Sequence, residues 1–173
     1  CLYTGKNLLS FADNHDVTRA CSALRDKRKL SALYAILYSM PGIPCVYYGS
    51  EYGAEGEKGR GEDGDDALRP CMDAVDRGKA PELTRLIGKL NRIRAGERAL
   101  AYGSYEKCVL SNKYMCFRRE REGERIYCAV NISETPVAMH VENADGTDLL
   151  TGERCALQDF VLSPFSAKII KKG

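Results

Sequence analysis

Asn7-Leu8-Leu9-Ser10-Phe11-Ala12, running into Asp13-Asn14-His15-Asp16-Val17-Thr18-Arg19, is the stretch from which the fold is read. The apolar run Leu8–Ala12 has the length and composition of a buried strand. An amide, an imidazole, carboxylates and a guanidinium crowd its C-terminal end, which is where α/β enzymes place their chemistry. Asp and Asn are also ordinary turn residues, so at this point the cluster reads equally as a site or as a strand that ends in a turn.

Working outward, Lys29–Met40 places Leu30, Leu33, Tyr34 and Leu37 on one helical face, and Pro41 stops the helix. Ile43–Tyr48 then reads as a second strand. Strand, helix and strand make a βαβ unit, whose right-handed crossover sets the strands parallel with their C-terminal ends on one rim. Asp16 and Tyr48 are therefore expected to face one pocket. A further helix starts at Pro81, a good first-turn residue, and runs to about Arg94, with Leu83, Leu86, Ile87, Leu90 and Ile93 as its apolar stripe and Gly96 as a C-cap.

Beyond Gly96 the period changes from helical to two. Ile126, Cys128, Val130 and Ile132 alternate with Tyr127, Ala129, Asn131 and Ser133, and Val137, Met139 and Val141 alternate with Ala138 and His140. Glu122-Gly123-Glu124 reads as the turn joining the Tyr114–Arg118 strand to the strand from Arg125, and Phe160–Lys171 as a last strand pair around Ser163-Pro164. The expected class is α/β plus all-β. Residues 1–98 supply the α/β part and residues 99–173 an antiparallel β-sandwich, with the boundary near Gly96–Tyr102.

Among 173 residues, 26 Lys and Arg face 24 Asp and Glu, so the net charge of +2 offers no field to recruit nucleic acid or an anionic membrane. The longest apolar stretch, Ala32–Met40, is far too short for a bilayer span. A neutral substrate fits this balance. Eight cysteines are scattered without the close pairing of a zinc site, and Cys45 and Cys128 sit inside apolar strand patterns. Reduced thiols, and with them a cytoplasmic setting, are expected.

Three segments resemble motifs of the α-amylase family (glycoside hydrolase family thirteen). Asn14-His15-Asp16 matches the end of one of that family's barrel strands. Met40-Pro41-Gly42-Ile43-Pro44-Cys45-Val46-Tyr47-Tyr48-Gly49-Ser50-Glu51 resembles its next strand, with a Pro-Gly-x-Pro entry and a Tyr-Tyr-Gly-x-Glu exit. Leu68-Arg69-Pro70-Cys71-Met72-Asp73 resembles the Arg-Pro-Met segment of maltodextrin-degrading members, with a Cys intruding between Pro and Met. The resemblance implies that residues 1–98 are the last βαβα units of a (β/α)8 barrel and that residues 99–173 are the β-domain that follows it.

The same resemblance implies a retaining α-glucan hydrolase of maltodextrin- or starch-degrading type. In such enzymes a nucleophilic and an acid-base carboxylate act across the scissile bond. A third carboxylate, here Asp16, stabilises the transition state by holding sugar hydroxyls. His15, Asn14, Arg69 and Tyr48 are the implied substrate-binding residues, with Tyr47 and Tyr52 as further rings for stacking on sugar faces; an ion pair of Arg69 with Asp65 or Asp66 and a core place for Tyr47 and Tyr48 stay open as alternatives. Glu51 reads as structural, tied to backbone or an arginine, and Arg19 as an ion-pair partner of a nearby carboxylate. Nothing similar to the strands carrying the other two catalytic carboxylates precedes Asn7. The chain is thus expected to be a C-terminal part, inactive alone and prone to self-association through its open strands. Three alternatives remain: an α-glucan transglycosylase or branching enzyme, a non-catalytic amylase-like interaction protein, and a β-domain that is an independent carbohydrate-binding module, for which the sequence shows no exposed aromatic row.

Residues 53–66 are Gly-rich and charged. Gly59–Gly64 formally matches the dinucleotide fingerprint, but no apolar strand leads into it and no amphipathic helix follows it, so no nucleotide cofactor is expected. Glu62, Asp63, Asp65 and Asp66 form an acidic cluster with hard oxygen ligands for calcium, at spacings that fit no EF-hand. A surface loop over the cleft, with no bound metal, is the expected state.

Overall fold

The computed structural model describes residues 6–61 and 64–173. Strand β1 (Leu9–Phe11) pairs in parallel with β2 (Ile43–Cys45), Leu9 opposite Ile43 and Phe11 opposite Cys45. Both are shorter than the apolar runs suggest, because the chain leaves the ladder at Ala12 and at Val46 to build loops. Between them lie the short helix α1 (Ala20–Ala23), a 3-10 turn at Lys27–Lys29 and helix α2 (Leu30–Ser39). The βαβ unit is therefore present.

The return from α2 to β2 is held by two devices. Gly42 adopts φ +102°, a left-handed conformation, and a Cβ there would stand 2.5 Å from the Leu8 carbonyl oxygen. Glycine alone permits that approach, which lets Ile43 N–H donate to Leu8 O at 2.8 Å and start the ladder. The second device comes from helix α3 (Pro81–Gly96), whose Arg94 donates to Tyr38 O at 2.6 Å and Met40 O at 3.1 Å. A cation thus satisfies the orphan carbonyls at the C-terminus of α2, where the helix dipole is negative.

A short helix α4 (Arg98–Tyr102) follows α3 directly and leads into β3 (Ser104–Leu110). The strands after it are β4 (Tyr114–Arg121), β5 (Glu124–Asn131), β6 (Val137–Met139), β7 (Asp145–Asp148), β8 (Arg154–Ala156), β9 (Phe160–Leu162) and β10 (Ser166–Lys172). They form a six-stranded antiparallel sheet ordered β3-β4-β5-β10-β7-β8 and a separate β6-β9 ladder. The expected pairing of the last two strands is corrected here. Phe160–Leu162 pairs with β6, while Ser166–Lys172 pairs with β5 and β7. Phe165, at φ +51°, turns the chain from one layer to the other instead of closing a hairpin.

The sandwich expectation needs a second correction. One face of the six-stranded sheet is covered by the two short strands β6 and β9 together with Leu157, through Tyr127, Ala129, Met139, Phe160, Leu162 and Ile170. The other face is closed by helices: Ala32 and Ala35 of α2 pack on Phe117, Cys128 and Val130, and Tyr34, Leu90 and Leu100 join Ile126 and Ile169. Strand β5 is consequently buried on both sides. Its side chains split by parity, as two-residue periodicity requires, with Ile126, Cys128 and Val130 toward the helices and Tyr127 and Ala129 toward the ladder. Arg119 crosses the same junction, fully buried, and donates to Ser39 O at 2.7 Å and Gly103 O at 2.8 Å. No helix among the described residues is long and apolar enough to cross a membrane.

Candidate active site

The loop from Asp13 to Ala20 is clamped at both ends. Asp13 is buried and accepts from Ala20 N–H at 2.8 Å and from the Ser50 hydroxyl at 2.8 Å. Arg19 is fully buried, 3.8 Å from the Asp13 carboxylate. Its guanidinium donates to the Tyr48 carbonyl and, at 3.5 Å, to Leu68 O, and it lies 4.4 Å from the centre of the Tyr47 ring. Its own N–H donates to Gly56 O at 2.9 Å. One side chain therefore ties together the loop after β1, the exit of β2 and the Leu68-Arg69 segment. Gly49, at φ +83°, is what leaves room for it: a Cβ there would stand 2.9 Å from Arg19 Nη2.

What this clamp presents to solvent is Asn14-His15-Asp16. Asn14 Oδ1 accepts from Asp16 N–H at 2.8 Å, a local turn that fixes the direction of the Asp16 side chain. His15 Nε2 lies 3.2 Å from Asp16 Oδ2, and both side chains are more than half exposed. Arg69 reaches in from 53 residues downstream: Nη2 is 3.4 Å from Asp16 Oδ1 and 3.2 Å from Asp65 Oδ2, and Nε donates to His15 O at 3.3 Å. Lys58 adds a donor to the Asp16 carbonyl at 2.7 Å. Here an open carboxylate can accept from one hydroxyl while the imidazole and the guanidinium beside it donate to others, which is what polyol recognition requires.

Four of the five expected binding and catalytic residues converge here. Asp16, His15, Asn14 and Arg69 share one cluster. Tyr48 sits on the same rim in a different role: its hydroxyl donates to Pro70 O at 2.9 Å and its ring meets Tyr47 edge-on at 4.6 Å. Tyr48 thereby braces the Arg69-Pro70 segment. Arg19 does pair with a carboxylate, as its sequence position suggests, but inside the protein. Asp13, which the motif leaves unassigned, is its partner. The expectation for Glu51 is corrected: its Oε2 is buried with no hydrogen-bond partner, and no arginine holds it among the described residues.

The Gly-rich segment is tacked to the site instead of standing free above it. Lys58 N–H donates to Thr18 Oγ1 at 3.1 Å and Gly56 N–H to Ser22 Oγ at 3.0 Å. Of the four acidic residues considered for calcium, Glu62 and Asp63 lie outside the described residues, and Asp65 is engaged by Arg69 and, at 3.6 Å, by Lys58. Among the described residues no group of three or more His, Cys, Asp or Glu side chains converges as a metal site.

Residues 4–98 match the family described as "Alpha amylase, catalytic domain". The chain is 30% identical over 127 residues to a cyclomaltodextrin glucanotransferase of Geobacillus stearothermophilus, an overlap of 73% of this chain and 17% of that protein. It is also 30% identical over 108 residues to an intracellular maltogenic amylase of Bacillus subtilis, covering 61% of this chain and 17% of the relative. The crystal structure of an Anoxybacillus α-amylase superposes with a TM-score of 0.79 at 28% identity, over 96% of this chain and 38% of that one. The chain spans about a fifth of the length of the curated relatives it matches.

Proposed function

The chain belongs to the α-amylase family, and on that premise we propose that it is the C-terminal part of a retaining α-glucan hydrolase of maltodextrin-degrading type. In this reading β1 and β2 are the last strands of a catalytic (β/α)8 barrel, and the sheet from β3 onward is the β-domain that follows it. Asp16 is the carboxylate that binds sugar hydroxyls where the ring distorts, so its hydrogen bonds strengthen as oxocarbenium character develops. His15 and Arg69 supply donors to neighbouring hydroxyls, and Asn14 sets the turn. The observation that carries the reading is the exposed Asp16 carboxylate, gripped by its own loop and flanked at 3.2 and 3.4 Å by His15 and Arg69 on the rim where β1 and β2 end.

Cleavage by this chemistry needs two further carboxylates about 5–5.5 Å apart. In this proposal they come from barrel strands outside residues 1–173, so the chain alone releases no reducing sugar from maltooligosaccharides. A second reading, transfer to a sugar hydroxyl instead of to water, is favoured by the glucanotransferase relative. Maltoheptaose incubated with the protein in which this chain sits in a complete barrel separates the two. Hydrolysis raises reducing ends in step with bonds broken, whereas transfer yields lengthened or cyclic glucans with fewer new ends. Absence of both products from a folded, complete barrel contradicts the proposal and favours a non-catalytic interaction role.

A further inference from the structure

Strand β3 carries one residue more than its partner. Lys107 stands opposite Phe117 and Val109 opposite Cys116, so Cys108 is the extra residue of a β-bulge whose single counterpart is Cys116. The two thiols share a face. Cys116 is buried in the cluster with Tyr127, Phe160 and Leu162, and the half-buried Cys108 packs against the same cluster. The Cys108 sulfur lies 3.9 Å from the Glu106 carbonyl oxygen. Cys108 also lines an open polar cavity of about 400 Å³ with Glu106, Lys107, Arg118, His140 and Glu142, so solvent reaches one member of the pair and not the other.

We propose that Cys108 and Cys116 are a dithiol modification site, oxidised by hydrogen peroxide to a disulfide that staples the edge strand β3 to β4. In the first step the Cys108 sulfur attacks one peroxide oxygen. The S–O bond forms, the O–O bond breaks, and the departing hydroxide takes up the thiol proton as water, leaving a sulfenic acid. In the second step the Cys116 sulfur attacks that sulfenic sulfur. The S–S bond forms, the S–O bond breaks, and hydroxide leaves as water with the Cys116 proton. Two thiols and one peroxide become one disulfide and two waters.

The division of labour follows from the surroundings. Cys116 has no solvent exposure, whereas the half-buried Cys108 borders the open cavity beside Arg118, so peroxide reaches Cys108 first. Cys108 is therefore the attacking sulfur and Cys116 the resolving one. The edge position of β3 gives the staple a consequence, because an edge strand is held by a single neighbour.

Trypsin cuts after Lys107, Lys113 and Arg118, which places the two thiols in separate peptides, 108–113 and 114–118. The chain is treated with stoichiometric peroxide, alkylated, digested without reductant and mapped by mass spectrometry. The linked pair 108–113/114–118 is expected to exceed any other cysteine linkage by about tenfold, since a preplaced thiol acts at high effective concentration, and dithiothreitol should abolish it. In Cys116→Ser, dimedone should instead label Cys108. The proposal is overturned if wild-type protein yields both peptides alkylated and unlinked while the exposed Cys71 is oxidised, or if Cys108 passes to the sulfinic acid without linkage.

Discussion

Arg19 carries a positive charge to a position with no solvent exposure, and its partners explain why it must stay. Asp13 sits beside it, equally buried, and the Tyr48 and Leu68 carbonyls accept its protons. Truncation to Met would leave the Asp13 carboxylate without its counter-charge, and removing one partner of such a pair typically costs about 3–5 kcal/mol. Arg19→Met is accordingly expected to lower the unfolding free energy by that amount in urea titrations. A loss below about 1 kcal/mol, within the ordinary range for a substitution away from any special feature, would show that the clamp does not hold the loop. The contrast with Asn14-His15-Asp16 shows what a sequence can display at this scale. Those three residues signal themselves because their chemistry is local and their spacing matches a known pattern. The partners of Arg19 are main-chain carbonyls 29 and 49 residues away, and main-chain groups carry no residue identity to read. Asp13 stays hidden because it accepts from a backbone N–H and from a serine hydroxyl 37 residues away, which no local spacing links to it.

At the scale of elements, the joint between α2 and β2 depends on Gly42. Alanine there meets both a left-handed φ of +102° and the Leu8 carbonyl at 2.5 Å, so Gly42→Ala should destabilise by at least about 1 kcal/mol. Hydrogen exchange at Ile43 N–H should accelerate with it, and unchanged protection there would contradict the account of the joint. In the β-part, Glu142 bonds Lys172 of β10 and, from β5, Tyr127 and Arg125, the last at 3.0 Å. The hydrogen bonds from Lys172 and Tyr127 hold its carboxyl below the ordinary 4.5. A carboxyl depressed by folding contributes stability that is complete above the unfolded value and lost as pH falls through the folded one. Thermal stability should thus decline below pH 4.5, and Glu142→Gln should flatten that decline while lowering stability at neutral pH. An identical acid limb in the variant would remove Glu142 from the explanation. Periodicity made β5 legible as a strand, yet with apolar residues on both faces it could not say that helices close one side and β6 and β9, with Leu157, the other. Ser163-Pro164 misled for a related reason. Its turn chemistry is real, but the turn carries the chain between layers, and pairing is decided by partners far away in sequence.

For the whole molecule, Leu9, Phe11 and Ile43 share one exposed face of the β1-β2 pair by alternation and register, with Leu8 exposed beside them. Water-exposed apolar strands next to unpaired ladder groups recruit partners, so the isolated chain is expected to self-associate. Light scattering should report a mass that rises with concentration, and a strict monomer at high concentration would contradict this. The parallel pair itself was legible from residues 7–48, because strand, helix and strand follow one another within the reach of a single crossover. The central claim is that Asp16 serves the transition state and not the loop. Its side chain is more than half exposed, and asparagine suits the same turn, so Asp16→Asn should change stability by no more than about 0.5 kcal/mol. The deciding measurement is steady-state maltodextrin kinetics of wild type and Asp16→Asn, each in the complete barrel, alongside thermal unfolding of both. In the variant kcat and kcat/KM are expected to fall together by about 10²–10³, the effect of removing one well-placed electrostatic stabiliser, at an unchanged Tm. Near-wild-type turnover in the folded variant would contradict it.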